Sequence, residues 1–425
     1  MTYPPTSPSA SPSTSTSPST SPSRGSSPLT TLVDQWGAHP AHFWLRGQEP
    51  ARAVEFDERL GVWNVYGHRE AVEVFADPGG YSSDIVHHFA PDLPEYERSG
   101  MLTQMDPPEH RKLRRLVSRA FTPRLVAGLA PRIGALTHEL LDRVDGGSGL
   151  DLVADLAHPL PVTVIAELLG VPSEDRELFR EWAEELLARS EVAAVGRTAA
   201  SADTVAAVLD LSARMSAYFG AHAEERRRRP QDDLLTALVR AEVDGERLSA
   251  AALGNFAQLL LVAGHVTTTI LLGNAVLCLD AHAGARERVR ADRTLVPAVI
   301  EEALRLLPPF SMFYRATTRA VELGGRRLPA GQVVALWLGA ANRDARVFAD
   351  PHGFHPERDP NPHLGFGRGI HFCLGAPLAR IEARIALDIL LERFPALRTD
   401  PGRPPVFQTT PEVVGPRTLP LLTAV

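Results

Sequence analysis

The longest stretch of apolar side chains in the chain runs from Ala251 to Asp280, with few polar interruptions. A helix that is apolar around its whole circumference belongs in the interior of a protein, so this pattern predicts a long buried core helix. Helical spacing also predicts helices at Arg69–Ala76 and Ala376–Phe394. Short runs rich in β-branched residues predict strands at 53–56, 61–66 and 333–338, and a hairpin at 319–328. The chain is therefore expected to be mainly α, with a small β region.

The first 28 residues differ in composition from all that follows, because they are almost entirely Ser, Thr and Pro. Such a segment cannot bury enough apolar surface to offset the entropy lost on ordering. We predict a disordered tail over residues 1–28, with no catalytic part. Ordered structure is expected to begin near Leu29–Trp36.

Composition excludes several functional classes. The net charge is −7 with pI near 6.1, which does not suggest nucleic acid as a partner. Only Cys278 and Cys373 occur, so a disulfide framework is not expected and a reducing cytoplasm is the natural compartment. The most apolar segment, Phe256–Leu279, is broken by polar residues and predicts no membrane span.

Cys373 is the strongest candidate for chemistry. Gly365, Gly367 and Gly369 precede it closely, and a predicted helix follows almost at once. Unpaired N–H groups and the macrodipole at a helix N-terminus favour a thiolate over a thiol. A thiolate is a soft metal ligand, and haem iron is one metal that a cysteine thiolate holds. The alternative is a structural cysteine buried in a turn.

The segment FGRGIHFCLG resembles the haem-binding signature of the cytochrome P450 family. The resemblance implies the triangular-prism fold of that family, mainly α with a small β region, in one domain over residues 29–425. It also implies haem b as cofactor, with Cys373 as the axial ligand of the iron. The signature positions present are Phe366, Gly367, Gly369, His371, Cys373 and Gly375.

A second motif starts at Met105, where Asp106 is expected to cap a helix whose first turn accepts Pro107 and Pro108. His110 and Arg114 are four residues apart and would share one face of that helix. Two donor side chains on one face suit a carboxylate or a phosphate; a solvated basic face is the alternative. The resemblance assigns four residues to the haem propionates: His110, Arg114, Arg315 and His371. It also places Phe366 and Gly367 in the loop that contacts the cofactor.

The middle of the long apolar helix reads AGHVTTT, from Ala263 to Thr269, and resembles the family's helix on the oxygen side of the haem. Gly264 is expected to make room for a ligand. The family pattern has an acid at the position of Val266. Some macrolide-tailoring members resemble this sequence in lacking that acid. The resemblance then leaves proton delivery to Thr267, His265 and ordered water, and the catalytic candidates are Thr267, Thr268 and His265. A histidine hydrogen-bonded within the core is the alternative for His265.

A third motif is Glu302 and Arg305, which are three residues apart and can pair on one helix face. The resemblance adds Arg358 as the third member of a buried structural triad. This triad would hold the cysteine side of the haem rigid.

The predicted substrate pocket is apolar, and such pockets suit bulky lipophilic ligands. The resemblance implies a monooxygenase that inserts one atom of O₂ into its substrate. Polyketides or macrolides, hydroxylated or epoxidised, are the predicted class. A carrier-bound amino acid, a terpenoid, a haem-thiolate enzyme of another reaction type and a non-catalytic partner protein are the alternatives. The predicted pocket residues are Val86, Phe89, Leu260, Ala263, Val266, Phe310, Met312 and Phe313.

The resemblance also implies that electrons come from a ferredoxin and its reductase. The docking surface is expected on the Cys373 side, near Arg111, Lys112 and Arg115. We expect a cytoplasmic monomer with no nucleic-acid or membrane partner.

Overall fold

The computed structural model describes residues 27–85, 101–144, 149–190 and 202–423. The first helix begins at Pro28, close to the predicted start of ordered structure, and its residue Leu29 is buried. Residues 1–26 of the predicted tail, and the predicted pocket residues Val86 and Phe89, lie outside the described residues.

Helices make up most of the described structure, as the hydrophobic pattern predicts. They are α1 (Pro28–Leu32), α2 (His68–Ala76), α3 (Glu109–Ala120), α4 (Pro123–Gly128), α5 (Ala130–Asp142), α6 (Pro159–Leu168), α7 (Arg176–Ser190), α8 (Ala202–Arg228), α9 (Leu234–Arg240), α10 (Ala250–Ala281), α11 (Ala283–Ala291), α12 (Val296–Leu306), α13 (Leu338–Ala341) and α14 (Ala376–Arg393).

The central helix is α10, and it confirms the core helix that the sequence predicts. The hydroxyl of Ser249 caps its first turn by accepting a hydrogen bond from the backbone N–H of Ala252, at 3.0 Å. The helix packs against α6, α8, α12 and α14, which bury it on most sides. By length and composition α10 is also the one described helix that could cross a membrane, but its most apolar window is 61% buried. It therefore has the burial of a core helix.

The β structure is small and lies in short sheets. The strands are β1 (Val54–Asp57), β2 (Val62–Val65), β3 (Tyr81–Ser82), β4 (Gly149–Asp151), β5 (Glu242–Val243), β6 (Glu246–Arg247), β7 (Met312–Thr317), β8 (Val321–Leu323), β9 (Arg326–Leu328), β10 (Val333–Trp337), β11 (Arg398–Thr399), β12 (Val406–Phe407), β13 (Pro416–Thr418) and β14 (Pro420–Leu422). Five strands form the largest sheet in the order β1-β2-β10-β7-β3, where only β2 and β10 run parallel. A three-stranded sheet has the order β11-β14-β4, and the remaining strands form the pairs β5-β6, β8-β9 and β12-β13.

The start of α3 differs from the sequence prediction. The helix begins at Glu109, after both prolines, and no side chain caps it. The carboxylate of Asp106 instead accepts hydrogen bonds from the Ser82 hydroxyl and from the backbone N–H of Ser83, at 2.8 Å for the latter. Asp106 therefore ties α3 to the end of β3. The prediction of a capping role was wrong because a tertiary partner competes for the same oxygens.

Candidate active site

The cysteine loop connects α12 and the large sheet to α14. The backbone N–H of Cys373 donates to the carbonyl of Phe366 at 3.0 Å, which closes the loop just before α14 begins. Gly369 has φ of +71°, and a Cβ built there would lie 2.4 Å from the carbonyl oxygen of Phe75 on α2. A Cβ at Gly365 would lie 2.8 Å from the carbonyl oxygen of Leu304 on α12. These glycines therefore let the loop contact its neighbouring helices closely.

Opposing effects act on the Cys373 thiol. Burial raises its pKa above the ordinary value, while the backbone N–H of Gly375 and the charge of Arg114 act in the opposite direction. The N–H of Ala376 and the charge of Arg380 add to that opposition. Metal coordination deprotonates a thiol outright. The loop thus supplies donors and cations that stabilise a thiolate once a metal ion binds it.

The four residues predicted to bind propionates converge from three elements. His110 lies on α3 and His371 in the cysteine loop, and their ring centroids are 4.2 Å apart. The charges of Arg315, on β7, and Arg114, on α3, both act on His371. Burial is the main reason that the pKa of His371 falls to about 3, and the neighbouring cations lower it further. The prediction that these residues lie together is consistent with the structure.

This cluster fits an anionic group with several oxygens. Both ring nitrogens of His110 are buried without a hydrogen-bond partner among the described residues. The Arg315 guanidinium is buried and donates to the carbonyl of Tyr314 at 2.7 Å. Asp106 acts on Arg315 electrostatically, but its carboxylate already accepts from Ser82 and Ser83. Unpartnered donors and excess positive charge are what the two carboxylates of a haem would satisfy.

The predicted structural triad forms and is fully buried at its centre. Glu302 and Arg305 are both 0% exposed and make a bidentate pair, with N–O distances of 2.7 and 2.8 Å. Arg358 Nε donates to the same carboxylate at 3.1 Å. Arg305 also donates to the backbone carbonyls of Asn342, Pro351 and Gly353. The network thus fixes α12 to the chain that leads into the cysteine loop.

A second charged network, which the sequence analysis missed, lies closer to the cysteine. Arg380 donates to the Glu301 carboxylate through Nε at 2.7 Å and through a second nitrogen at 2.9 Å. His363 Nε2 lies 3.0 Å from the same carboxylate. The Arg380 guanidinium also lies 4.5 Å from the centre of the Phe366 ring. The available signal was the position of Arg380, one turn into the helix that begins three residues after Cys373.

One face of α10 keeps accessible surface although the rest of the helix is buried. Leu260, Ala263, Val266 and Thr267 lie on it, at intervals of three and four residues, and Ala263 is the most exposed. Thr267 Oγ1 donates to the carbonyl of Ala263 at 2.6 Å. These side chains are apolar apart from the Thr267 hydroxyl. The face has the character of a cavity wall.

His265 and Thr268 lie away from this face. His265 is 1% exposed, its ring is 4.3 Å from that of His158, and burial lowers its pKa to about 3. Thr268 is buried and hydrogen-bonds Glu382 of α14, whose pKa burial raises to about 8. A side chain that lines an open cavity would keep accessible surface. The orientation therefore corrects the predicted catalytic roles of His265 and Thr268 and favours packing roles.

Two further predictions need correction. A Cβ at Gly264 would lie 2.5 Å from Cδ1 of Ile165, so this glycine accommodates α6 and does not make room for a ligand. Met312 is buried, within β7 and opposite Trp337 of β10, and does not line an open space. Phe310 and Phe313 remain half-buried, with ring centroids 5.6 Å apart. They stay candidates for the pocket wall.

A cysteine loop beneath a cationic cluster, with a buried carboxylate–arginine triad behind it, defines the haem-thiolate class of protein. The profile of the family described as Cytochrome P450 matches residues 58–423. The chain belongs to the cytochrome P450 family.

Relatives cover nearly the whole chain. The Cyclomarin C epoxidase CymV of Salinispora arenicola is 46% identical over 398 residues, which are 93% of this chain and 98% of the relative. The Erythromycin C-12 hydroxylase of Saccharopolyspora erythraea is 41% identical over 401 residues, 94% of this chain and 96% of the relative. The solved structure of HmtT, involved in himastatin biosynthesis, has a TM-score of 0.83 and 53% identity, covering 92% of this chain and 99% of that one.

These findings confirm the P450 fold, the monooxygenase activity and the cofactor. The chain is a cytochrome P450 monooxygenase with haem b as its cofactor. The assignment of individual residues rests on the geometry described above.

Proposed function

We propose that this monooxygenase hydroxylates or epoxidises a bulky, mostly apolar natural product late in its biosynthesis. The observation that carries the proposal is the open face of α10, where Leu260, Ala263 and Val266 leave one hydroxyl, Thr267, and no fixed charge. Large apolar surfaces with few polar anchors suit lipophilic ligands. The printed names of the relatives, an epoxidase and a hydroxylase, agree with this reaction class.

The residues of the chain would divide the work of holding the cofactor. Bound haem supplies the activation of O₂ and the insertion of one oxygen atom into the substrate. Cys373 Sγ would bind the haem iron. His110, Arg114, Arg315 and His371 would bind the propionates, because their donors converge and no salt bridge pairs them with a carboxylate among the described residues. The triad around Glu302 would keep the cysteine side rigid.

Thr267 would handle the proton at its hydroxyl. Position 266, where family members have an acid, is Val266, so no neighbouring carboxylate on this turn can supply a proton. The Thr267 hydroxyl already holds a hydrogen bond to the Ala263 carbonyl, which fixes its oxygen on the open face. Ordered water next to Oγ1 would complete the route. The half-buried, apolar neighbours would exclude other water from the site.

The substrate class rests on two observations. The acid-less α10 segment favours a polyketide or macrolide, as the sequence predicts, and the erythromycin hydroxylase is a relative. The cyclomarin enzyme and HmtT have higher identities, 46% and 53%, than the erythromycin enzyme at 41%. Scaffolds of the cyclomarin and himastatin kinds are therefore a second candidate class.

Spectral titration of the ferric protein tests the proposal. A panel would contain macrolactones, tetramate polyketides, cyclomarin- and himastatin-type scaffolds, terpenoids, fatty acids and aminoacyl-carrier conjugates. We expect low-to-high-spin shifts with a bulky apolar scaffold, and oxygenated product when a ferredoxin, its reductase and NADPH are added. Tight binding confined to the fatty acids or the aminoacyl conjugates would contradict the substrate proposal.

The proposal extends to the electron donor, the oligomeric state and the cellular location of the protein. The electron donor would be a ferredoxin with its reductase, and the protein would act as a cytoplasmic monomer without membrane or nucleic-acid partners. Gel filtration and fractionation of the native cells test the last points. Association with membranes, or a stable dimer, would contradict them.

A further inference from the structure

The outer face of α3 is strongly basic and adjoins the cysteine loop. Arg111, Lys112, Arg115 and Arg119 extend along this helix beyond the cofactor-facing side chains. Arg114 donates to the carbonyl of Phe372, the residue before Cys373, at 2.8 Å. Phe372 is itself 40% exposed, an unusual value for a large apolar side chain in this structure. The basic face is thus continuous with the surface nearest the metal ligand.

A short acidic hairpin covers part of this face. Strands β5 and β6 pair Val243 with Glu246, and the turn between them is Asp244-Gly245, where both residues have positive φ, 55° and 79°. Asp244 lies at the tip of this two-residue turn, and its side chain is 73% exposed. The hairpin contains three acidic residues in six, Glu242, Asp244 and Glu246.

Two ion pairs and a hydrogen bond to the backbone join the hairpin to the helix. Lys112 Nζ lies 3.0 Å from Glu246, and an Arg115 nitrogen lies 2.9 Å from Asp244. Arg119 donates to the backbone carbonyl of Glu242. Arg111, by contrast, has no ion pair in the part of the chain that the structure describes. Two of the three residues predicted to attract an electron donor are therefore already paired with carboxylates of their own chain.

We propose that the β5-β6 hairpin competes with an acidic electron-donor protein for the basic face of α3, and so sets the affinity for that donor. This inference rests on the proposed function, in which electrons come from a separate acidic protein. All four paired side chains are more than half exposed, so water and salt weaken each pair. A donor with several carboxylates could therefore replace the hairpin at little cost.

By covering part of the basic face of α3, the hairpin also affects which electron-donor protein binds there. Lys112 and Arg115 together carry two positive charges, and Asp244 and Glu246 cancel them. A weakly acidic protein would meet Arg111 and the exposed Phe372 but gain little from the paired residues. Only a donor with a dense acidic patch would displace the hairpin carboxylates. The hairpin would thus discriminate between donors by charge density.

The test compares binding of a plant-type [2Fe–2S] ferredoxin, which is strongly acidic, to the haem-loaded protein and to Asp244→Asn/Glu246→Gln. Asn is well suited to the first position of this turn, so the hairpin should persist. We expect the Kd from calorimetric titration to fall about five- to tenfold at low salt, and the difference to disappear at high salt.

A charge-matched control separates the hairpin from net charge. The variant Asp142→Asn/Glu357→Gln also removes two carboxylates from exposed ion pairs, but their partners, Arg393 and Arg288, lie on α14 and α11 and not on α3. Its Kd should stay within about twofold of the unmodified protein. Lys112→Gln/Arg115→Gln should raise the Kd, because it removes the cations for which the hairpin and the ferredoxin compete.

The outcomes distinguish this inference from the proposed function. If the unmodified protein binds the ferredoxin and the Asp244/Glu246 variant binds it equally or more weakly, the hairpin proposal is wrong and the donor class stands. An equal gain in the Asp142/Glu357 control would also overturn it, since net charge alone would then explain the effect. If neither the unmodified protein nor the Asp244/Glu246 variant binds the acidic ferredoxin, both the donor class and the hairpin proposal fail.

Discussion

The cysteine side of the site and the open face of α10 are built from different interactions. On the cysteine side, Glu302 accepts from Arg305, Arg358, the Asn361 amide and the backbone N–H of His355, and almost every contact is a directional hydrogen bond. On α10, the accessible side chains are apolar except for the Thr267 hydroxyl. Directional bonds hold a metal ligand in one position, whereas apolar contacts allow a wall to be reshaped by substitution. The difference separates the side that holds the metal ligand from the side that contacts the substrate.

The largest expected effect comes from removing the ligand itself. Cys373→Ala should abolish the red-shifted Soret band of the reduced carbonyl complex, because the thiolate is lost, while the helical signal in far-UV circular dichroism remains. Cys278→Ala is the matched control, since Cys278 is buried in α10 and bears on stability alone. A normal band from the Cys373 variant would refute the assignment of the ligand.

The triad should come next, because it supports the ligand through buried charges. Glu302→Gln leaves Arg305 as an uncompensated buried cation, which typically costs about 3–5 kcal/mol of folding free energy. Denaturant unfolding and haem content measure the loss. The exposed pair Arg288–Glu357 provides the control: Glu357→Gln should cost less than about 1 kcal/mol. Similar costs for the two variants would mean that the triad is not the support we describe.

Substitution of Thr267 on the open face of α10 should change catalysis and leave the stability of the fold largely unchanged. Thr267→Ala should uncouple NADPH use from product formation and increase release of hydrogen peroxide, because the hydroxyl that handles the proton is gone. Positioned proton-transfer groups are typically worth about 10²–10⁴-fold. Thr268→Val, a change one residue along on the buried side, should leave coupling intact. Equal uncoupling in both variants would contradict the different roles inferred from their orientation.

A smaller effect on the cysteine side should depend on pH. Burial acts to raise the pKa of Glu301, but hydrogen bonds from Arg380 and His363 prevail and lower it from 4.5 to about 2. The carboxylate therefore stabilises the folded protein above pH 4.5, and this stabilisation is lost as the pH falls toward 2.

The substitution Glu301→Gln tests this dependence. It should reduce the free energy of unfolding by about 1–2 kcal/mol at pH 7, since the pair is partly exposed. The difference from the unmodified protein, measured by denaturant unfolding, should shrink below pH 4.5. A difference that is constant across this range would show that the ion pair is not its source.

The sequence predicted the parts of this molecule that rest on local patterns. The apolar run gave the core helix α10 and the glycines before Cys373 gave the loop, because both patterns are short-range. The side of a helix that faces the core was harder to predict, because it depends on neighbouring elements. His265 and Thr267 are two residues apart on α10, but only the tertiary neighbours, His158 on one side and open space on the other, separate their roles.

Competition between partners explains other misses. Asp106 has the residue type and spacing of a helix cap, yet its oxygens bind Ser82 and Ser83 from β3, far away in the sequence. Gly264 suggested room for a ligand, and the room is taken by Ile165 of α6. Lys112 and Arg115, near which the electron donor is expected to dock, pair with the hairpin after α9, a contact that the local sequence does not reveal. In each case a contact of high sequence separation decided the outcome.

The smallest expected effect comes from shortening an apolar side chain on the open face of α10. Val266→Ala removes two methyl groups from a half-buried position on the open face of α10, so it should weaken binding of an apolar substrate while changing stability little. The loss of this contact should raise the Kd about four- to tenfold, since each buried CH₂ group contributes about 0.8 kcal/mol and the position is half-buried.

The matched control is Leu261→Ala, on the buried side of the same helix, which should destabilise the fold and leave substrate binding unchanged. Leu261 is fully buried, and its truncation should cost about 2–5 kcal/mol of unfolding free energy with the Kd unchanged. Spin-state titration and denaturant unfolding of both variants measure the two quantities. If Val266→Ala destabilises the fold as much as Leu261→Ala, this face is part of the core and the contrast with the cysteine side does not hold.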